Sequence, residues 1–274
     1  MSISPLELSA VFLSGLMVGS FLNVCIWRIP AGEQVVKGRS ICRNCKREIA
    51  AYDNIPLLSF ALLGGKCRRC KAPISWSYPA VELATGLLFA AVLARFGWTN
   101  VGFVYAVFGA ALIVLSVIDL REMILPDEIT LPGISLGVIV SFFVPELHGA
   151  AARWGGLWAG VIGALAGSGV IYGIGWVGTK LFRRKLKAIG EEEAMGFGDV
   201  KLMAMVGSVI GLWKVLLVSL ILAPMSGAVI GLAIKARTKQ EIIPFGPFLV
   251  AGTLVAVFSG DSIIHWYRGL LMGS

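Results

Sequence analysis

Two aspartates stand where an apolar chain tolerates charge least. Asp119 closes the run Leu115-Ser116-Val117-Ile118, and Asp199 sits in Gly196-Phe197-Gly198-Asp199, just ahead of another apolar run. A carboxylate in or beside the bilayer costs free energy unless it is paired or used, so each is a candidate functional group. Two carboxyls brought side by side cannot both ionise cheaply and share one proton. The charged member can take a proton from water while the protonated one donates to a scissile carbonyl oxygen, which is aspartic protease chemistry at a membrane surface. Such a pair titrates as a unit and predicts a bell-shaped pH–rate profile.

Four cysteines form the second constellation. Cys42-Arg43-Asn44-Cys45 and Cys67-Arg68-Arg69-Cys70 are two CxxC pairs with 21 residues between them. Four thiolates on two tight turns suit a closed, tetrahedral, structural zinc site, although the interval slightly exceeds the usual spacing. Disulfides are the competing reading, and the basic residues around the pairs argue for the reducing cytoplasm. Cys25, inside an apolar run, reads as a small buried hydrophobe.

The elements that hold these residues follow from composition. In 274 residues, 57% are hydrophobic and 15% charged, and the mean hydropathy is +0.84. These values describe an all-α polytopic membrane protein and exclude a soluble domain. Windows of about 20 apolar residues predict eight transmembrane helices near 6–27, 78–95, 101–118, 128–145, 155–178, 200–213, 215–234 and 243–259. The sixth is short, and fusing it with the seventh would give seven. A polar segment from 28 to 77 carries the cysteines between helices 1 and 2. The predicted organisation is a first helix over 1–27, a four-cysteine domain over 28–77 and a membrane core over 78–274.

With the first residue outside, twenty of the 24 basic residues fall on the cytoplasmic side, as the positive-inside bias requires. They include Lys37, Lys185, Lys235, Arg237 and Lys239. Both termini are then periplasmic, and both aspartates face the cytoplasm. Arg28-Ile29-Pro30 follows the first run without a small-residue cleavage site, so that run reads as a retained helix. Basic residues close to a membrane are expected from topology and from anionic lipid. Without interleaved aromatics they do not predict a nucleic-acid partner.

Competing chemistries leave little trace. No HExxH is present, His148 and His265 read as surface residues, and the glycines of the fifth helix, among them Gly156, Gly160 and Gly163, read as close-packing positions. Asp127, after Leu125-Pro126, reads as the cap of the fourth helix. Asp199 could cap the sixth, but Gly196 and Gly198 beside it allow unusual dihedrals and close approach of a peptide chain. Lys201 could anchor lipid or tune the site, and Glu82 is a weaker candidate for binding substrate. A proton or ion transporter and a membrane scaffold recruiting partners through its cysteines are the alternatives from other classes.

An ordered series of motifs resembles the bacterial type IV prepilin peptidases, membrane aspartic proteases of the GxGD class. It runs through Gly19-Ser20-Phe21-Leu22-Asn23-Val24, Arg28-Ile29-Pro30, the two CxxC pairs, Tyr78-Pro79-Ala80-Val81-Glu82-Leu83, Ile118-Asp119, Leu125-Pro126-Asp127, Met195-Gly196-Phe197-Gly198-Asp199-Val200-Lys201-Leu202 and Ile243-Pro244-Phe245-Gly246-Pro247-Phe248. The resemblance implies that Asp119 and Asp199 are catalytic and that Asp127 is not. It implies cleavage of the short basic leader of prepilins and pseudopilins at the cytoplasmic face of the bacterial inner membrane. It further implies methylation of the new N-terminus, with S-adenosylmethionine as donor, because four-cysteine members are bifunctional. No GxGxxG after a strand places that donor, so no methyltransferase residues are assigned, and Glu82 is a weaker candidate for binding that donor as it is for the substrate.

Overall fold

The computed structural model describes residues 3–36, 38–188, 190, 192–237 and 243–272. The side chains at 185, 188, 232–237, 271 and 272 are not described. Of the basic residues used for orientation, Lys37 and Lys239 lie outside the described residues, as do the side chains of Lys185, Lys235 and Arg237. Nine α-helices are described: α1 (Pro5–Arg28), α2 (Leu58–Leu62), α3 (Ser77–Phe96), α4 (Asn100–Glu122), α5 (Asp127–Phe143), α6 (Arg153–Ala188), α7 (Phe197–Leu217), α8 (Ala223–Arg237) and α9 (Gly246–Met272). Among the described residues there are no β-strands, only two isolated antiparallel bridges, Ile41 with Glu48 and Lys66 with Pro73.

Each of the eight predicted segments coincides with helix, but among the described residues six helical runs are both long and apolar enough to cross a membrane. The difference has two causes. Helix α5 has only 17 residues, and the sixth and seventh segments belong to one run, Phe197–Gly231. That run passes through a π-helical turn at Val218–Leu222 and leaves helical geometry at Gly211, where φ is +78°. Its 35 residues would span about 50 Å as a straight helix, more than a bilayer's hydrocarbon needs. The interruption lies within three residues of the predicted Trp213-Lys214 boundary.

The chain divides into two compact units, residues 1–118 and 119–274. In the first, α1 begins with a capping box: Ser4 Oγ accepts from the Glu7 N–H (3.2 Å), the Ser4 N–H donates to the Glu7 carboxylate (2.8 Å), and Pro5 follows the cap. This pattern satisfies orphan amides and preorganises the first turn. Trp98 Nε1 donates to the other Glu7 oxygen (3.0 Å), so the start of α1 lies beside the turn that Gly97, at φ +65°, makes after α3. Helices α1 and α3 therefore run antiparallel and pack closely through Gly15, Gly19 and Gly86.

In the second unit, α6 and α7 share a close seam. A Cβ at Gly163 would overlap the Gly207 carbonyl, and one at Gly207 would overlap the Gly163 carbonyl. The predicted packing role thus holds for Gly156, Gly160 and Gly163, whereas Gly173 faces open space. The buried core of this unit is built on α7, from Leu202 through Val206 to Ile210. Leu202 and Val206 are 0% exposed and Ile210 is 3% exposed.

Candidate active site and metal centre

Asp119 lies on α4, three residues before its last residue, and is 6% exposed. Its Oδ2 accepts the backbone N–H of Gly246 at 3.0 Å. Gly246 opens α9, so its amide is one of the donors a helix N-terminus leaves unpaired. A Cβ there would fall 2.5 Å from Oδ2, which makes glycine the residue that fits.

Asp199 occupies the third position of α7, whose N-cap is Gly196. It is 9% exposed, and its own amide donates to the Gly196 carbonyl (3.1 Å). The carboxylate is therefore not the helix cap. Asp119 is near enough for its charge to act on Asp199, so the two predicted carboxylates come together in one buried place. Gly196 has φ −67° and ψ 142°, a conformation open to any residue, so the expected unusual dihedrals are absent there. At Gly198 the close approach is real, but it comes from this chain's own Leu125, whose Cβ would lie 3.1 Å from an added methyl.

Asp127 does not cap α5, because the helix begins at Asp127 itself and its N-cap is Pro126. Its Oδ1 instead receives Lys201 Nζ at 2.6 Å. The lysine side chain spans from the Asp199 turn to the start of α5, and its Nζ lies 5.2 Å from the Phe197 ring centre. Beside the start of α7, a cavity of about 690 Å³ is lined by Tyr172, Trp176, Thr179, Met195 and Phe197 among others.

His148 corrects a second expectation. It is half-buried, with Nε2 2.8 Å from Ser141 Oγ, and Ser141 Oγ also donates to the Ser208 carbonyl (2.9 Å). Its Nδ1 is buried without a hydrogen-bond partner among the described residues and lies against Gly211. Burial, then the Lys214 charge, pushes the imidazole down to about 4. A surface reading failed because Gly211 and Lys214, which lie beside it, are far away in sequence. His265 is exposed, as expected.

The four cysteines converge: the Sγ atoms of Cys42, Cys45, Cys67 and Cys70 lie within 4.8 Å of one another. Cys42 Sγ and Cys70 Sγ are 3.8 Å apart, and a tetrahedron of thiolates about 2.3 Å from a zinc ion has edges of about 3.8 Å. Both knuckles use the same bonds. The N–H of Cys42 donates to Arg47 O and that of Cys67 to Ala72 O, while Lys46 and Lys71 donate back to the carbonyls of Cys42 and Cys67. Lys46 and Lys71 both take positive φ, 57° and 60°. First the backbone N–H of Ala72, then the Asn44 amide, pull the Cys70 thiol down to about 6. Thiolate character at neutral pH is what metal ligation needs, so the donor set fits a metal ion. Nearby, Arg68 grips Asp53 through Nε and Nη2, at 2.7 to 3.0 Å, and holds that carboxyl below its usual range.

Comparisons with known proteins identify the family. The bacterial peptidase A24 N-terminal domain model matches residues 13–96, and the type IV leader peptidase family model matches residues 106–232. Over 291 residues the chain is 36% identical to a prepilin leader peptidase/N-methyltransferase of Aeromonas hydrophila, covering 96% of this chain and 94% of that one. A protein of the same name from Myxococcus xanthus is 42% identical over 236 residues, 86% of this chain and 65% of its own. One from Pseudomonas aeruginosa is 35% identical over 281 residues, 93% and 91% of the two chains. No solved structure matches.

Proposed function

Because the chain belongs to the type IV leader peptidase family, we propose that it cleaves the leader of type IV prepilins and pseudopilins and then methylates the new N-terminus, with Asp119 and Asp199 as the catalytic pair. The observation that carries this reading is the convergence of two buried carboxylates at the ends of α4 and α7, one of them held by the Gly246 amide. Burying carboxylates without a cation costs several kcal/mol. Family membership does not favour the scaffold or transporter readings.

The pair holds one proton between its two carboxyls. The charged carboxylate removes a proton from water as the water oxygen bonds to the scissile carbonyl carbon, and the protonated carboxyl donates to the carbonyl oxygen. Collapse of that adduct breaks the C–N bond and passes a proton to the leaving amine. The Gly246 N–H occupies one oxygen of Asp119, which fixes the direction of its other oxygen. Lys201 is drawn towards Asp127, which keeps its ammonium from forming a direct ion pair with Asp199.

The active site opens to the cytoplasm of the bacterial inner membrane in this reading, with both termini periplasmic, as the distribution of basic residues indicates. The segment 28–77 is a structural zinc domain held by Cys42, Cys45, Cys67 and Cys70, between the first helix over 1–27 and the peptidase core over 78–274. The methyl donor is S-adenosylmethionine, which supplies an activated methyl on a cationic sulfonium. The purified protein, given a detergent-solubilised prepilin and S-adenosylmethionine, is expected to yield a mature pilin heavier by one methyl when weighed intact. An uncleaved substrate contradicts the peptidase assignment, and a cleaved but unmethylated product contradicts the second activity.

A further inference from the structure

The cavity of about 690 Å³ beside the start of α7 is lined from that helix by Phe197 and Val200. These two share one face of α7, whereas Asp199 is turned about 100° from Val200 and about 160° from Phe197. The cavity therefore lies on the side of α7 away from the Asp199 carboxylate. Its volume is in the range of small-molecule sites.

Its depth in the membrane follows from α6. The apolar run Arg153–Arg184 has 32 residues, about 48 Å if straight, against about 30 Å of hydrocarbon. Exposed tryptophans stand at two levels on it, Trp154 and Trp158 near the start and Trp176 eighteen residues after Trp158, with exposed Tyr172 one turn earlier. That interval rises about 27 Å, so aromatic rings mark both bilayer surfaces. Tyr172 and Trp176 line the cavity, which places it at headgroup level on the basic, cytoplasmic side.

Charges of both signs border the same space. Lys180 Nζ lies 3.6 Å from the Trp176 ring centre, the geometry of a lysine reaching along a ring to the polar boundary. Arg183 and Lys187 continue this wall, and Glu192 and Glu193 line the cavity from the residues ahead of α7. The acidic wall is fixed to α6, because the Ala194 N–H donates to Thr179 Oγ1 at 2.9 Å and a Cβ at Gly178 would fall 3.0 Å from that of Ala194. None of these cations and carboxylates takes part in an ion pair among the described residues. Opposite charges that border one cavity without meeting suit a ligand carrying both signs.

We propose that this cavity binds the headgroup of phosphatidylethanolamine, a phosphodiester bearing a primary ammonium. Arg183 and Lys187 face its phosphate, Glu192 and Glu193 its ammonium, and the acyl chains descend into the bilayer past Trp176 and Tyr172. A lipid held there bridges α6 to the residues that lead into Gly196 and Asp199. The site makes no use of the aspartate pair and stands independently of the peptidase reading.

The test uses the full-length, zinc-loaded protein, delipidated in detergent. Native mass spectrometry after addition of equal amounts of phosphatidylethanolamine and phosphatidylglycerol is expected to show phosphatidylethanolamine retained in preference. Replacing both cations, Arg183→Gln with Lys187→Gln, should weaken retention of either lipid by about tenfold. Replacing both acids, Glu192→Gln with Glu193→Gln, should reverse the preference, because a wall of cations alone favours the anionic lipid. A phosphatidylethanolamine with a photoactivatable headgroup is expected to label wild-type peptides within residues 172–200, a result that depends on no variant. Label confined to other peptides, or a lipid preference unchanged in the acid variant, overturns the proposal. Displacement of the lipid by an equal concentration of inorganic phosphate assigns the site to free phosphate and overturns it. So does a raised KM for prepilin in the acid variant with lipid retention unchanged, which makes the acidic wall a contact for the basic leader.

Discussion

The Gly246 amide donates to Asp119 Oδ2 at 3.0 Å across 127 residues of sequence, joining the start of α9 to the end of α4. Since a Cβ would sit 2.5 Å from that oxygen, Gly246→Ala must push the carboxylate aside. Displacement of a catalytic group by about 1 Å costs on the order of a hundredfold in rate. Cleavage of a prepilin by Gly246→Ala is therefore expected to fall about a hundredfold while the protein still folds, as judged by its melting curve. Wild-type cleavage would show that the bond does not position Asp119.

The Lys201–Asp127 ion pair has one partner 22% and the other 52% exposed, and such pairs contribute no more than about 1 kcal/mol. Asp127→Asn should scarcely change the melting midpoint. It should lower kcat by less than about tenfold, against about a thousandfold for loss of a group that moves protons. Loss of cleavage in Asp127→Asn as complete as in an Asp199 variant would place Asp127 in the chemistry itself.

His148 makes stability depend on pH with a definite sign. Its folded value, about 4, lies below the ordinary 6.5, so the unfolded chain binds the extra proton between these values. The stabilisation is present above pH 6.5 and is lost as pH falls towards 4, at up to about 1.4 kcal/mol per pH unit. Lys214, paired with Asp261 at 2.8 Å, adds to the cost of protonation. Melting midpoints in detergent should therefore rise from pH 4 to 6.5 more steeply in the wild type than in His148→Asn. Equal slopes would remove His148 from the account.

Metal removal tests the four-cysteine centre. One zinc per chain is expected by elemental analysis, and Cys42→Ser should abolish it, since a tetrahedral thiolate site holds its metal with all four ligands. Chelation should raise proteolytic sensitivity between 40 and 76 before it affects the second unit. Full retention of the compact segment without metal would assign its stability to the Arg68–Asp53 bond and the backbone turns alone.

Much of this arrangement is legible along the chain because it is local. Apolar length gives the helices, the CxxC spacing gives the knuckles, and a charge at the edge of an apolar run marks Asp119 and Asp199. What escapes is contact over distance. Nothing near Asp119 announces Gly246, and nothing near His148 announces the carbonyl of Ser208 or the backbone turn at Gly211. Asp127 looks like a cap because Leu125-Pro126 precedes it, and only the fold brings Lys201 to it. The number of crossings is blurred for a related reason, since apolar windows split at Trp213-Lys214 a run that the fold carries on as one, through the break at Gly211 and a π-helical turn.

The central claim is that two carboxylates act together, and one comparison tests it most directly: cleavage of a solubilised prepilin by the wild type, Asp119→Asn and Asp199→Asn, followed by intact mass. Asparagine keeps the size of each side chain and removes its capacity to exchange a proton. Both variants are expected to lose cleavage by about a thousandfold or more while keeping the wild-type zinc content and melting midpoint. Cleavage at the wild-type rate by either variant would contradict the two-carboxylate mechanism.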